Sequence, residues 1–576
     1  MSGSAGKLSR FWSELKRRRV IHVITVYAGA AFVIIELINN ITEPLRLPEW
    51  TPTMVIVILS IAFPVIVALS WIYNFTPEGL RKTEPLETDA TGTGHEDESS
   101  LSERLENSIA VLPFHDMSPE RDQGYFCEGI AEEILNILCH MDNLKVVART
   151  SSFAFKESDR DIREIGKKLE VKNILEGSIR KSGNRIRITA QLINAVNGLH
   201  VWSEKYDRDI TDVFAIQDEI SQAIVRNLSG NLESPGLKHI EKYKVTHIDA
   251  YLSYLKGNYH YQYIKPEEVK RAMEYYSEAL KADPGFAPAY CGIAKGYWSL
   301  SYFGNLPPNQ AFPVIIEQMT RAKQIDGSLE EIYFIEGVTN YAFRWKLDQA
   351  EEDFKKALQI NPNSAISHST YSFLLTCMSR HEESILEARK AAELDPLDIY
   401  YQNMVANAYN FAGRYEEALN HCRMIEKKYP EGFMVYFMLG FAYHGLSRWE
   451  EAISAYERSL RMSGGAQLVL ANLIVAYIET GNLTKADSLY NDMDALAQKI
   501  YVLPTHFYKA HRAKGEDDLA FEWCKRATRE RDGFVPLIRV HPYGNLRFPE
   551  EKRYTDLLKD AGFKIAGFKN AGFKDD

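Results

Sequence analysis

Three asparagines, Asn403, Asn407 and Asn410, fall at i, i+4 and i+7, the spacing that puts side chains on one helix face. A primary amide both donates and accepts, so such a face can bond the backbone of an extended peptide. Tyr400 lies just before them. Phe437, Phe441 and His444 hold the equivalent places 34 residues further on, and Ser369 and Phe373 those 34 residues back, where they can add apolar pockets. The other reading is a solvated polar stripe beside ordinary packing. A second cluster is His115 and Asp116 with Arg149, Thr150 and Ser151, each group following a short apolar run. An arginine with two hydroxyls and free backbone amides can hold a phosphate or carboxylate, and ligands favour the carboxyl ends of strands. The bland alternative is that Arg149 and Asp116 tie loops together while Ser151 caps a turn.

Other chemistries lack their residues. There is no Walker A motif, GxSxG elbow, HExxH pair or Cys/His metal set. Cys127, Cys139, Cys291, Cys377, Cys422 and Cys524 show no CxxC spacing and suit buried thiols in a reducing compartment. No catalytic residue, metal ligand or cofactor is assigned. A net charge of -10 and a pI near 5.9 speak against nucleic acid as a partner.

The elements that would position the asparagines form a repeat. Pro362, Pro396 and Pro430 are 34 residues apart, and so are Ala350, Ser384, Ala418, Ala452, Ala486 and Ala520. Tyr436, Leu439, Gly440, Tyr443, Ala452, Tyr456 and Gly464 resemble the tetratricopeptide frame. About eight units are expected over residues 249–534, stacking because one helix pair cannot bury its own apolar face. Residues 535–576 read as a cap, with a helix near 550–560, and a tail.

Ahead of the array, apolar runs at 108–113, 144–148, 173–181, 185–193 and 200–206 read as strands. Helical spacing covers 128–140, 162–169 and 213–228, and Ser182-Gly183-Asn184 is a hairpin turn. Alternation followed by a hairpin gives a small α/β sheet covered by helices, over 108–235. The runs SIAVLPFHDMS, YFCEGIAEEILNIL and LKVVARTSSFAF, then ILEGSIRKSGNRIRITAQLINAVNGLHVWSEKYDRDITDVFAIQDEI, are similar to the TolB amino-terminal-type domain. That resemblance implies a module that commonly sits between a variable N-terminal part and tetratricopeptide repeats. The N-terminal part is a nucleotide cyclase or a DNA-binding domain in some relatives, and neither is seen here.

Residues 1–19 are basic. Two apolar runs follow, at about 20–41 and 53–75, each long enough to span a hydrocarbon core of ~30 Å as a helix. Lys16, Arg17, Arg18 and Arg19 precede the first and Arg81 and Lys82 follow the second, whereas the loop holds only Arg46. The positive-inside bias puts both ends in the cytoplasm. Residues 76–107 are acidic and read as a flexible tether.

The expected fold is therefore a transmembrane helix hairpin at 20–75, a small α/β domain and an all-α tetratricopeptide superhelix. The expected function is a bacterial inner-membrane scaffold, with its soluble parts cytoplasmic, that recruits protein partners through the repeat groove. Its partners are proteins and the membrane, and a second copy of the chain is a further partner that repeats allow. The alternative is a ligand-sensing regulator whose α/β domain binds a small solute and modulates repeat–partner binding.

Overall fold

The computed structural model describes residues 107–563 except 142, 157–160, 230–246, 263–264 and 303, together with scattered residues between 31 and 82. The chain divides into two units, Met1–Glu96 and Asp97–Asp576.

In the first unit, residues 53–57 are helical, and Tyr73–Thr76 (β1) pairs antiparallel with Gly79–Lys82 (β2). The second apolar run, expected to stay helical to residue 75, thus ends in strand. Tyr73 and Phe75 are aromatic strand formers, and Thr76 precedes Pro77, which pushes it out of the helical region. No helix among the described residues is long and apolar enough to cross a membrane. The rest of the expected hairpin, the acidic stretch 83–106 and the tail 564–576 lie outside the described residues.

The second unit opens with Ser108–Val111 (β3) and His115–Asp116 (β4), followed by Gly124–Cys139 (α1). Lys145–Val146 (β5), Arg149–Phe153 (α2) and Ile162–Leu169 (α3) lead to Asn173–Ser182 (β6), Arg185–Asn194 (β7), His200–Asp209 (β8) and Val213–Ser229 (α4). The sheet order is β5-β3-β6-β7-β8, with β4 also on β6. β3 runs parallel to β5 and β6, and β6-β7-β8 is antiparallel. Gly183, at φ +59, makes the tight turn from β6 to β7, a conformation that costs a residue without Cβ little.

Eight helix pairs follow. Ile248–Tyr261 (α5) packs on Pro266–Ala282 (α6), and Ala287–Tyr302 (α7) on Pro308–Ile325 (α8). Glu330–Val338 (α9) continues into a π-helical turn, Thr339–Phe343, and packs on Leu347–Ile360 (α10). Ala365–Cys377 (α11) with His381–Leu394 (α12) and Ile399–Phe411 (α13) with Tyr415–Lys428 (α14) are the fourth and fifth pairs. Phe433–Gly445 (α15) with Trp449–Ser463 (α16), Gln467–Glu479 (α17) with Leu483–Ala497 (α18), and Pro504–Lys514 (α19) with Asp517–Glu530 (α20) complete them. Ala350, Ser384, Ala418, Ala452, Ala486 and Ala520 are fully buried, because a small side chain there lets the paired helices approach. Val535–Arg539 (α21) and Lys552–Asp560 (α22) end the described chain, and α22 packs on α20.

The α/β domain and the first pair share one core. Ile130, Ile134, Leu138, Ile220 and Ile224 pack in a single cluster with Tyr251, Leu255, Ala272 and Tyr276. Burying a large apolar side chain contributes roughly 1.5–3 kcal/mol, so this continuous cluster binds the two parts firmly.

Candidate functional site

The first helix of each pair lines the groove, and other segments of the same chain cover parts of it. Its later part holds the chain's own C-terminal segment. Tyr543 stacks on Phe441, with centroids 4.8 Å apart, and on His444, at 4.0 Å, and its hydroxyl donates to the Phe441 carbonyl. His541 packs against Phe411 and Phe441, and Phe534 meets Phe373. Arg531 lies over Trp345, and the Tyr341 hydroxyl donates to the Gly533 carbonyl.

This placement settles the geometry of the sequence-selected groove residues. Asn403 and Asn410 are fully buried instead of accessible, and Asn407 is half-buried. Asn403 Nδ2 donates to the Ile399 carbonyl at 2.8 Å and Asn410 Nδ2 to the Met438 carbonyl of the next unit at 3.2 Å. Spacing put the three on one face, but neighbouring units cover part of that face. Phe437, Phe441, His444 and Ser369 are buried, while Tyr400 and Phe373 are half-buried. Burial pushes His444 down to about 3, aided by the nearby Lys509 charge.

The groove of the earlier pairs is roofed by the α/β domain, which docks through Arg149 and Ser151; these lie in α2, and His115 and Asp116 form β4, not the ligand loops expected after the strands. Ser151 donates to Asp395 Oδ1 from its backbone N–H, at 2.9 Å, and from its hydroxyl, and Ser151 Oγ accepts from Leu397 N–H at 2.8 Å. Arg149 binds Glu128 at 3.0 Å and Gln262 at 2.7 Å, and pairs with Glu132 at 3.1 Å. Asp116 accepts from Ser118 N–H and Gln123 N–H at 2.9 and 2.8 Å. Burial would raise its carboxyl, yet the hydrogen bonds from Ser118 and Gln123 hold it below the usual range. His115 is exposed. Arg149, Ser151 and Asp116 thus tie structure together, and of the five Thr150 lines the cavity beneath the domain.

Asn363, between α10 and α11, completes the seam. Its Nδ2 donates to the carbonyls of Cys139, Leu144 and Met141 at 3.1, 3.0 and 3.4 Å, and its Oδ1 accepts from Val146 N–H at 3.2 Å. Ala148 N–H adds a bond to the Leu394 carbonyl at 2.8 Å.

Beneath this roof lies a cavity of about 650 Å³, lined from α1 and α4 above and from the first helices of the first five pairs below. Its walls carry ten aromatic rings, Tyr254, Trp298 and Tyr401 among them, and five carboxylates against one lysine and one histidine. Burial and the neighbouring Glu132 and Glu331 push Glu133 up to about 8. Burial and Glu331 push Glu330 up to about 7, against hydrogen bonds from Ser367 and Ser364. Burial would lower Lys295, but Glu331, Tyr261 and Glu132 hold it above its usual value. Sequence reasoning missed this cavity. Its legible trace is the close spacing of Tyr251, Tyr254 and Tyr261, all of which border it. No cluster of three or more metal-ligating side chains occurs among the described residues.

Residues 105–223 match the family model described as HilA/YgeH-like transcriptional regulator, second domain, and residues 435–464 match the tetratricopeptide repeat. The first description differs from the TolB amino-terminal resemblance drawn from the sequence. A curated relative, putative adenylate cyclase 3 of Rhizobium meliloti (strain 1021), is 38% identical over 187 residues, 32% of this chain and 32% of the relative. The chain thus spans about a third of that relative's length. The Rap protein complexed with competence and sporulation factor is 13% identical at a TM-score of 0.38, covering 54% of this chain and 99% of that one. The Cut9–Hcn1 heterotetramer of the APC/C is 14% identical at a TM-score of 0.36, covering 61% of this chain and 63% of that one. The repeat array is of the tetratricopeptide kind, an architecture for protein–protein contact.

Proposed function

We infer that the chain is a membrane-anchored scaffold that gathers cytoplasmic protein partners through its repeats, without catalysis of its own. The observation that carries this reading is the stack of eight helix pairs, one of which matches the tetratricopeptide model. The anchor is supported by the apolar runs at 20–41 and 53–75 and their basic flanks, with the second span now ending before β1. Both termini and the soluble parts face the cytoplasm of a bacterial cell, and the α/β domain is of the TolB amino-terminal-like type. Photo-crosslinking amino acids at Asn407 and Phe373, half-buried at the groove, are compared in native membranes with the same label at Leu386 and Met424, exposed outside it. The reading expects a partner linked from the groove positions alone. Equal labelling from all four positions, or activity of a periplasmic reporter fused after Asn107, would count against it.

A second reading has its own support. The 650 Å³ cavity is large enough for a small organic molecule. A solute bound between the α/β roof and the first five pairs would change how those parts fit and so how the repeats meet a partner. Dialysis of the purified chain followed by mass spectrometry of the released small molecules tests for such a solute.

A further inference from the structure

We propose that the cavity between the α/β domain and the first five repeats is a binding site for a small organic cation, an ammonium or amidine carried on an apolar body. This rests on the ligand-sensing reading and adds the chemical class of the ligand.

The walls show a shortage of positive charge. Glu133 comes from α1, Glu330 and Glu331 from the start of α9, and the one cavity lysine, Lys295, from α7. Glu330 accepts from the Ser367 hydroxyl at 2.6 Å, and Asp398 is engaged by Tyr400 N–H at 2.8 Å. Among the described residues, Glu133 and Glu331 accept no hydrogen bond and make no ion pair. Like charges gathered on one wall with few cations among them repel, and burial together with that repulsion pushes Glu133 and Glu330 up. A cation entering beside Glu133 and Glu331 would offset that repulsion and give both a partner.

The apolar part of the lining selects the rest of the ligand. Tyr254, Phe286, Trp298, Phe334 and Tyr401 border the same space. Aromatic faces attract an organic cation and strip it of water more readily than they would a metal ion. Anions meet the opposite field, with a single ammonium facing several carboxylates.

Three naphthyl probes of one size test the class: naphthylethylammonium, naphthylethanol and naphthylacetate, titrated by calorimetry into the full chain in detergent. The ammonium should bind about tenfold or more tighter than the alcohol, and the acetate more weakly still. Glu133→Gln and Glu331→Gln keep shape and remove charge. Each should weaken the ammonium about fivefold or more while leaving the alcohol unchanged. Glu382→Gln, on the exposed face of α12, should change nothing. If the alcohol or the acetate matches the ammonium, the class is wrong although the cavity binds ligands. If none of the three binds, the ligand-sensing reading falls as well. Ammonium binding that ignores both cavity variants lies elsewhere and overturns the proposal.

Discussion

Asp395 shows how one side chain can set the pH response of the seam. It is 1% exposed, holds both donors of Ser151, and has its carboxyl pushed up to about 7 by burial, with Asp398 adding to the push. A carboxyl raised in the folded state favours the folded state below its unfolded value near 3.8, and that stability is lost as pH rises towards 7. A shift of one unit is worth about 1.4 kcal/mol, so the loss is of the order of a few kcal/mol. Asp395→Asn keeps an acceptor for Ser151 and removes the titration. Thermal melts at pH 5.5 and 8 should therefore differ less in Asp395→Asn than in the parent chain. Asp395→Ala should be less stable at both, because two buried donors lose their acceptor. Asn363→Ala is the companion case. It leaves the Cys139 and Leu144 carbonyls and the Val146 N–H without their partner, at roughly 1–3 kcal/mol for each buried group left unpaired, and should speed hydrogen exchange at Val146. Neither role was legible in the sequence. Asn363 and Asp395 look like ordinary turn residues of a repeat, and the loops they bind lie more than 200 residues away.

At the scale of elements the sequence was more informative. The longer strands and helices of the α/β domain, its hairpin at Gly183 and the repeat period follow from local spacing, since periodicity reports the face an element buries, whereas β4 and α2 are too short to show one. Period alone does not say what covers a face. Asn403, Asn407 and Asn410 share one as spacing requires, yet the groove they belong to is partly covered by other segments of the chain that spacing cannot identify. Tyr543 reaches Phe441 from about 100 residues on, and its contact is set by the whole superhelix. Truncating it by Tyr543→Ala should cost roughly 3–5 kcal/mol and uncover His444, now 6% exposed. Diethyl pyrocarbonate should then modify His444, as read by peptide mass spectrometry, while leaving it intact in the parent chain. The repeat frame itself predicts a tight spot. A Cβ at Gly440 would lie 2.5 Å from the Tyr456 ring, so Gly440→Ala should lower stability by about 1–3 kcal/mol through overpacking.

For the second unit, Asp97–Asp576, the consequence is cooperativity. In a simple solenoid each unit touches only its neighbours, so stability is a sum of local terms and distant units can unfold separately. Two features of this chain break that rule. The α/β domain shares a core with the first pair and is bonded to the turns at Asn363 and Asp395, which flank the fourth pair. The segment after α20 meets Trp345 and Tyr341 of the third pair at Arg531 and Gly533, then touches Phe373, Phe411 and Phe441 in turn before Asn545 reaches Glu479 of the seventh. Units that would be independent are thereby strapped together from both ends. Urea unfolding should accordingly be one steep transition for the repeats, with a large m-value, because m follows the surface exposed in a single step. The double variant Phe534→Ala/Tyr543→Ala removes two anchors of the strap and leaves every helix pair intact. Its transition should broaden or split and its apparent m should fall, whereas Gly440→Ala should shift the midpoint and keep the slope. If the double variant only shifts the midpoint, the strap adds stability without coupling the units. The repeats would then behave as the ordinary nearest-neighbour stack that their period alone describes.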